Sequence, residues 1–253
     1  MQTGVWRELD EEFDAWANLR QIATLWWRDD DAIDDGERLV QLLRAADTCP
    51  ISLAVVSGHA TARLAKRMAT IPKAAVLQHG WSHASYAQPP NFSEYPGDRR
   101  VDDVRGELRE GRSRLLALFD HLALPVFVPP FDSFDDKFLS QLAEAGLRGI
   151  SRMGPRATRA LPDGFVEANV HIPLHDWHKG CFRGEEATLG ALLRHLRARR
   201  RCQVDLVEPV GILTHHLVQD DRSYEFMTRL LAETNSRPGV RWLSGQEVFG
   251  YDH

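Results

Sequence analysis

Residues 77 to 86 read LQHGWSHASY, two histidines four residues apart directly after an apolar run. On a helix, His79 and His83 would share one face, a turn apart. A tight strand-to-loop turn would also bring the two imidazoles together. Either geometry can hold a metal ion, and one added carboxylate makes a two-His, one-Asp set. Three protein ligands leave positions open for water and substrate, which is the catalytic rather than the structural arrangement. Eleven histidines in the chain make such a pair easy to reach by chance, so its surroundings decide. WWRDDDAID, residues 26–34, supplies carboxylates: Asp29, Asp30 and Asp31 follow Arg28. Adjacent like charges are costly unless cations offset them, and both a divalent ion and Arg28 can do so. The plainer alternative is an acidic approach to a helix, whose dipole favours Asp34 and Asp35. GILTHHL, residues 211–217, puts two histidines after a buried run, and His215 is the candidate acid or base. In HIPLHDWHKG, residues 171–180, Asp176 is suited to orienting a histidine and Trp177 to walling a ligand. A tryptophan covering a barrel rim is an equal reading of Trp177.

These residues need a frame that brings them together. Apolar, β-branched runs recur at 23–27, 51–57, 74–79, 125–130, 148–151, 167–174 and 210–215, with helical patterns between most of them. Strand–helix alternation repeated this often implies a parallel sheet. An open doubly wound sheet and a (β/α) barrel both fit the alternation. In a barrel, the carboxyl ends of the strands share one face, where the chemistry sits. The candidate residues follow the carboxyl ends of several different runs. The expected architecture is therefore α/β, a single-domain distorted (β/α) barrel of about seven parallel strands. It spans 1–253, with 1–22 as a helix packed on the barrel. The segment ASYAQPPNFSEYPGDRR, residues 84–100, is expected to form a loop over the mouth, because its prolines forbid a regular element. Neither a G-x-G-x-x-G after the first strand nor a phosphate-binding loop is present.

The bulk properties narrow the partners. The chain has 253 residues, 43% hydrophobic and 26% charged, with a net charge of −5. That balance argues against general binding to nucleic acid or to an anionic membrane. The basic run RHLRARRR, 194–201, reads as a solvated helix end. No stretch approaches the roughly 18–20 apolar residues of a membrane span. The acidic, amphipathic N-terminal segment lacks the features of a signal peptide, and three scattered cysteines suit a reducing compartment. A cytoplasmic location is expected. Nothing in the sequence speaks to oligomeric state.

In order, these residues resemble the NodB-like polysaccharide deacetylase superfamily, whose members are distorted (β/α) barrels that use a divalent metal to remove acetyl groups from sugars. The family's T-F-D-D is matched by RDDD, its H-[ST]-x-x-H by HGWSH, its R-P-P-Y by VPPF, and its L-x-H by LTH at Leu213 to His215. Its Asp and nearby Trp are matched loosely by Asp176 and Trp177. The resemblance implies one divalent metal ion, with zinc expected, held by Asp31, His79 and His83. It implies Asp30 as base, His215 as acid oriented by Asp176, and the Phe131 N–H as oxyanion donor. Leu213 and Trp177 would line the space for the acyl methyl. Asp29 and Asp30 form the rival frame. Residues 29 and 31 share a face of an extended strand, so a base and a ligand on adjacent residues must sit where the strand ends. That favours the later pair. The family arginine is Val128 here, and Arg28 is the candidate to supply its charge beside Asp30. The family tyrosine is Phe131, and the glycine after the Asp pair is Ala32. The implied reaction is removal of an acetyl or acyl group from an N-acetylated sugar derivative. The alternatives are a hydrolase of a non-sugar linear amide on the same scaffold and an inactive barrel that binds a sugar or metabolite.

Overall fold

The structure is a computed structural model that describes residues 4–156 and 161–251. The first three residues of the expected N-terminal helix lie outside that range. Strands are β1 (Ala23–Ala32), β2 (Ser52–Val55), β3 (Ala75–His79), β4 (Ala123–Val128), β5 (Gly149–Ile150), β6 (Val166–Glu167), β7 (Ile172–Pro173), β8 (His175–Asp176), β9 (Cys181–Phe182), β10 (Val210–Thr214) and β11 (Val240–Leu243). Helices are α1 (Gly4–Asn18), α2 (Glu37–Ala46), α3 (Ala62–Met68), α4 (Val101–Phe119), α5 (Leu139–Glu144), α6 (Glu185–Arg200), α7 (Asp221–Thr234) and α8 (Gly245–Phe249).

One parallel sheet runs in the order β6-β5-β4-β3-β2-β1-β10-β7, with β11 also beside β1. β6 and β7 lie at opposite ends of that path, yet only four residues separate them. The run expected as one strand at 167–174 is extended but divided. Its first part pairs with β5, and Val170 bonds on to Arg152. Its second part pairs with β10. This run joins the two ends of the curled sheet, which gives the distorted barrel. β11 has no counterpart among the expected strands. It fills the lower half of the β1 edge that β2 occupies above, Ala23 opposite Val240 and Arg28 opposite Ser52.

Alternation along β1 sorts its side chains between two layers. Leu25 and Trp27 join the outer core beneath the helices. Trp26 faces inward with Leu77, Val126, Val128, Leu213 and Phe249, and α8 delivers Phe249 edge-on to the Trp26 ring, centroids 5.8 Å apart. The inward set therefore includes Arg28 and Asp30, and the outward set Asp29. On α1, Trp6, Leu9, Phe13 and Trp16 recur at helical spacing and are buried in the outer core. The basic end of α6 differs from its expected role. Arg197 and Arg200 pair with Glu8 and Glu12 of α1, and buried Arg199 donates to Thr24 O at 3.0 Å. Helix α1 and strand β1, rather than solvent, receive these three cations. No described helix is long and apolar enough to cross a membrane.

Candidate metal centre

The site begins where β1 gives up its regular geometry. Its pairing with β2 shifts register between Asp29 and Ala32, and Asp31 adopts φ 69°. This left-handed residue swings its carboxylate toward the mouth while Asp30 remains on the inward face. Adjacent Asp30 and Asp31 thus meet different partners, Arg28 and the two imidazoles.

His79 ends β3, and the chain turns at once through Gly80 (φ 59°) to His83 (φ 56°). The strand-to-loop geometry, rather than a helix, brings the imidazoles together. His79 Nε2 lies 3.1 Å and His83 Nε2 3.2 Å from Asp31 Oδ1. Ligand atoms of these three residues all lie within 4.8 Å of one another, the one such group found among the described residues. His79 Nδ1 donates to Val128 O at 3.0 Å, which fixes the tautomer that leaves Nε2 free to ligate. Val128 thus orients one imidazole of the group through its backbone carbonyl.

The electrostatics call for a cation. Burial opposes ionisation of Asp31, but hydrogen bonds with His79 and His83 prevail and hold its carboxyl well below the usual carboxylate range. Burial likewise depresses His79, yet its hydrogen bond to Asp31 and the charges of Asp30 and Asp31 raise it on balance. Asp31 thus offers negative charge at the point where the three side chains meet. The donor set, two imidazoles and a carboxylate, fits a divalent ion such as zinc.

Arg28 grips the neighbouring carboxylate in a fork, Nε to Asp30 Oδ1 at 2.8 Å and Nη2 to Oδ2 at 2.9 Å. Its remaining nitrogen donates to Ser151 O at 3.1 Å and Ser151 Oγ at 2.6 Å. Both partners are buried. The guanidinium arrives from the same strand, two residues before the carboxylate it holds, and a serine after β5 anchors it.

The remaining candidates ring this centre. Leu213 lies beside Arg28 across the sheet and joins the inner core. His215 follows β10, and Trp177, 61% exposed, sets its ring edge-on to His215 at 5.0 Å and to His175 at 4.7 Å. Phe131, at φ 58°, lays its ring over His83, centroids 4.3 Å apart. Exposed Phe92 from the 84–100 loop packs on Phe131 at 5.8 Å. That loop holds no helix or strand beyond one isolated bridge at Tyr95. Asp176 departs from its expected role. Its carboxylate accepts from the His178 and Lys179 N–H groups at 3.0 and 3.2 Å and makes no hydrogen bond to His215. The β8–β9 hairpin turn takes up the carboxylate that would have oriented the acid.

His216, which carries no expected role, is buried on Asp29. Its Nδ1 lies 2.5 Å from Asp29 Oδ1, and its own N–H and the Thr214 hydroxyl donate to Asp29 Oδ2 at 3.0 and 2.5 Å. Trp27 Nε1 donates to that hydroxyl at 2.8 Å. Burial lowers the His216 pKa, but the charge of Asp29 and its hydrogen bond raise it overall. The usable signal was alternation: Asp29 faces away from Asp30, and a buried carboxylate needs a partner. The second histidine of LTHH is that partner.

No family model and no curated protein sequence matches the chain. Solved structures do. A family 4 acetyl xylan esterase from Clostridium thermocellum, in complex with a cobalt ion, is 14% identical over 90% of each chain, with a TM-score of 0.56. A peptidoglycan N-acetylglucosamine deacetylase is 14% identical over 93% of this chain and 96% of its own, with a TM-score of 0.58. Peptidoglycan deacetylase PdaC from Bacillus subtilis is 13% identical over 91% of each chain, with a TM-score of 0.55. At such low identity the likeness is one of architecture: this chain has the fold of the NodB-like, family 4 polysaccharide deacetylases.

Proposed function

We propose that the protein is a metal-dependent hydrolase that removes an acetyl or other acyl group from an N-acetylated sugar derivative. The observation that carries this reading is the buried Arg28–Asp30 fork beside the Asp31, His79 and His83 ligand set. A divalent ion bound by those three supplies a Lewis acid for the acyl carbonyl and a water whose pKa falls towards ~7. Asp30, aimed by the Arg28 fork, takes the proton of the attacking water. The Phe131 N–H donates to the carbonyl oxygen as negative charge grows there. His215 protonates the leaving nitrogen. Leu213 and Trp177 enclose the acyl methyl. The packing of Trp177 on His215 supports their working together and gives the acid a support other than Asp176.

The test is elemental analysis of the purified protein, followed by acetate release from a panel of N-acetylated sugars with and without chelator. Bound ion with no acetate from any of them would sink the assignment. A non-sugar linear amide is the second reading. It is favoured by the exposed apolar side chains that follow the strands' carboxyl ends, Phe92, Phe131, Met153, Trp177, Leu217 and Val218. Alkyl and aryl acetamides in the same panel separate the two.

A further inference from the structure

The turn from His79 to His83 must hold its two imidazoles on one point, and its backbone is gripped from both sides. On the carbonyl side, Ser57 Oγ donates to Gly80 O at 2.6 Å and Gly58 N–H to Trp81 O at 2.7 Å. Both come from the short 3-10 turn that follows β2. On the amide side stands a single group, the carboxylate of Glu94. It accepts from Trp81 N–H at 3.2 Å, from Ser82 N–H at 2.6 Å and from Ser82 Oγ at 3.0 Å. Glu94 is fully buried, and it belongs to the 84–100 loop. The contact is close. A Cβ on Gly80 would fall 2.0 Å from Glu94 Oε2, and one on Gly58 would fall 2.6 Å from Trp81 O. Two glycines therefore admit the grip, and Gly80 also supplies the left-handed turn.

We propose that Glu94 is the positioning residue of the metal centre: it fixes the Gly80–Ser82 backbone so that His83 meets His79 and Asp31 with little reorganisation. A buried carboxylate is costly unless its oxygens are satisfied. Here the satisfying donors are the N–H groups that a loose turn would turn to water. The pair is mutually required, since without Glu94 those half-buried donors lose their acceptor. The mouth loop thus reaches beneath the site to support a ligand as well as passing over it. Glu94 lies two positions from exposed Phe92, so one short stretch carries the support and the loop's outermost ring.

This inference rests on the metal reading above, and its test separates the two. Zinc affinity is measured by competition with a chromophoric chelator for wild type, Glu94→Gln, Ser57→Ala and, as control, Asn91→Ala in the same loop. In the metal-free proteins, hydrogen exchange is read at the Trp81 and Ser82 amides. Glutamine puts an NH2 against a backbone donor. Glu94→Gln should therefore weaken zinc binding 10- to 100-fold, the range usual for groups that orient metal ligands, and speed exchange at both amides. Ser57→Ala should lose less, and Asn91→Ala nothing. Should Glu94→Gln fail to fold, Ser82→Ala decides: a several-fold loss supports the proposal and unchanged affinity overturns it. A lower Tm with undiminished zinc affinity in Glu94→Gln assigns the residue to packing alone and overturns the proposal. A wild type that takes up no ion overturns the metal centre and this proposal together.

Discussion

The two faces of β1 each bury a carboxylate at its carboxyl end, and the two are used differently. On the inner face Asp30 meets a guanidinium, which leaves it next to the open centre of the barrel mouth. On the outer face Asp29 meets His216, Thr214 and the His216 N–H, closed over by the helical layer. The chemistry of the side chain is the same, and one residue separates the two. What differs is the partner: a fork that aims the inner carboxylate, and a three-donor socket that consumes the outer one. Asp31 is the third case, released from both faces by its left-handed backbone. Three identical residues in a row thus take three positions because strand alternation and one bulge sort them.

Substitutions that swap these roles test the comparison. Asp30→Asn should cost the most activity, about 10²–10⁴-fold in kcat, with zinc content by elemental analysis unchanged. Loss of metal in that variant would place Asp30 among the ligands. Asp29→Asn should do the reverse. Breaking a buried pair costs about 3–5 kcal/mol of stability, read as a lowered urea midpoint, while folded protein retains its ion. If Asp29→Asn empties the site and Asp31→Asn does not, the assignment of roles along β1 is displaced.

Proton linkage separates the centre from the outer face further. The folded pKa of His216 is raised above its ordinary 6.5. Its pairing therefore adds stability that is complete below pH 6.5 and is lost as pH rises through the folded value. The stability gap between wild type and His216→Gln, by urea unfolding, should narrow on going from pH 6 to pH 9. At the centre the raised His79 pKa works against the ion, because the imidazole must shed its proton to ligate. Zinc affinity should fall as pH drops through neutrality. The smallest effect belongs to the rim. Phe92→Ala should raise KM a few-fold and leave kcat unchanged, and a change confined to kcat would remove Phe92 from recognition.

Much of the centre was legible because its signals are side-chain types at strand ends. The meeting of His79 and His83 could be read from spacing, the opposite facing of Asp29 and Asp30 from strand alternation, and the Arg28–Asp30 contact from the charge missing at Val128. What escaped depended on backbone. Glu94 sits among prolines and polar residues and reads as a solvated loop acid, since the N–H groups it accepts from carry no sequence mark. Asp176 misled for the same reason: its partners are the two amides that follow it. β11 is four residues long and comes just after the S-R-P-G breaker, too short for periodicity to show. The barrel was favoured over the open sheet by the shared face of the candidate residues, whereas its closure by the run from β6 to β7 rests on pairings at both ends of one segment.

The place of β1 in the sheet has a consequence for how the protein is made. Of the eleven strands described it leaves the ribosome first and is among the last to be completed, because its neighbours include β10 and β11 as well as β2. Until residue 243 has emerged, a ten-residue strand carrying Trp26 and Trp27 keeps an unpaired edge. Such edges seed wrong pairings, and contacts this distant in sequence form slowly. Nascent or truncated chains that stop short of β10 would therefore be the aggregation-prone form of this protein, and the ones most in need of a chaperone.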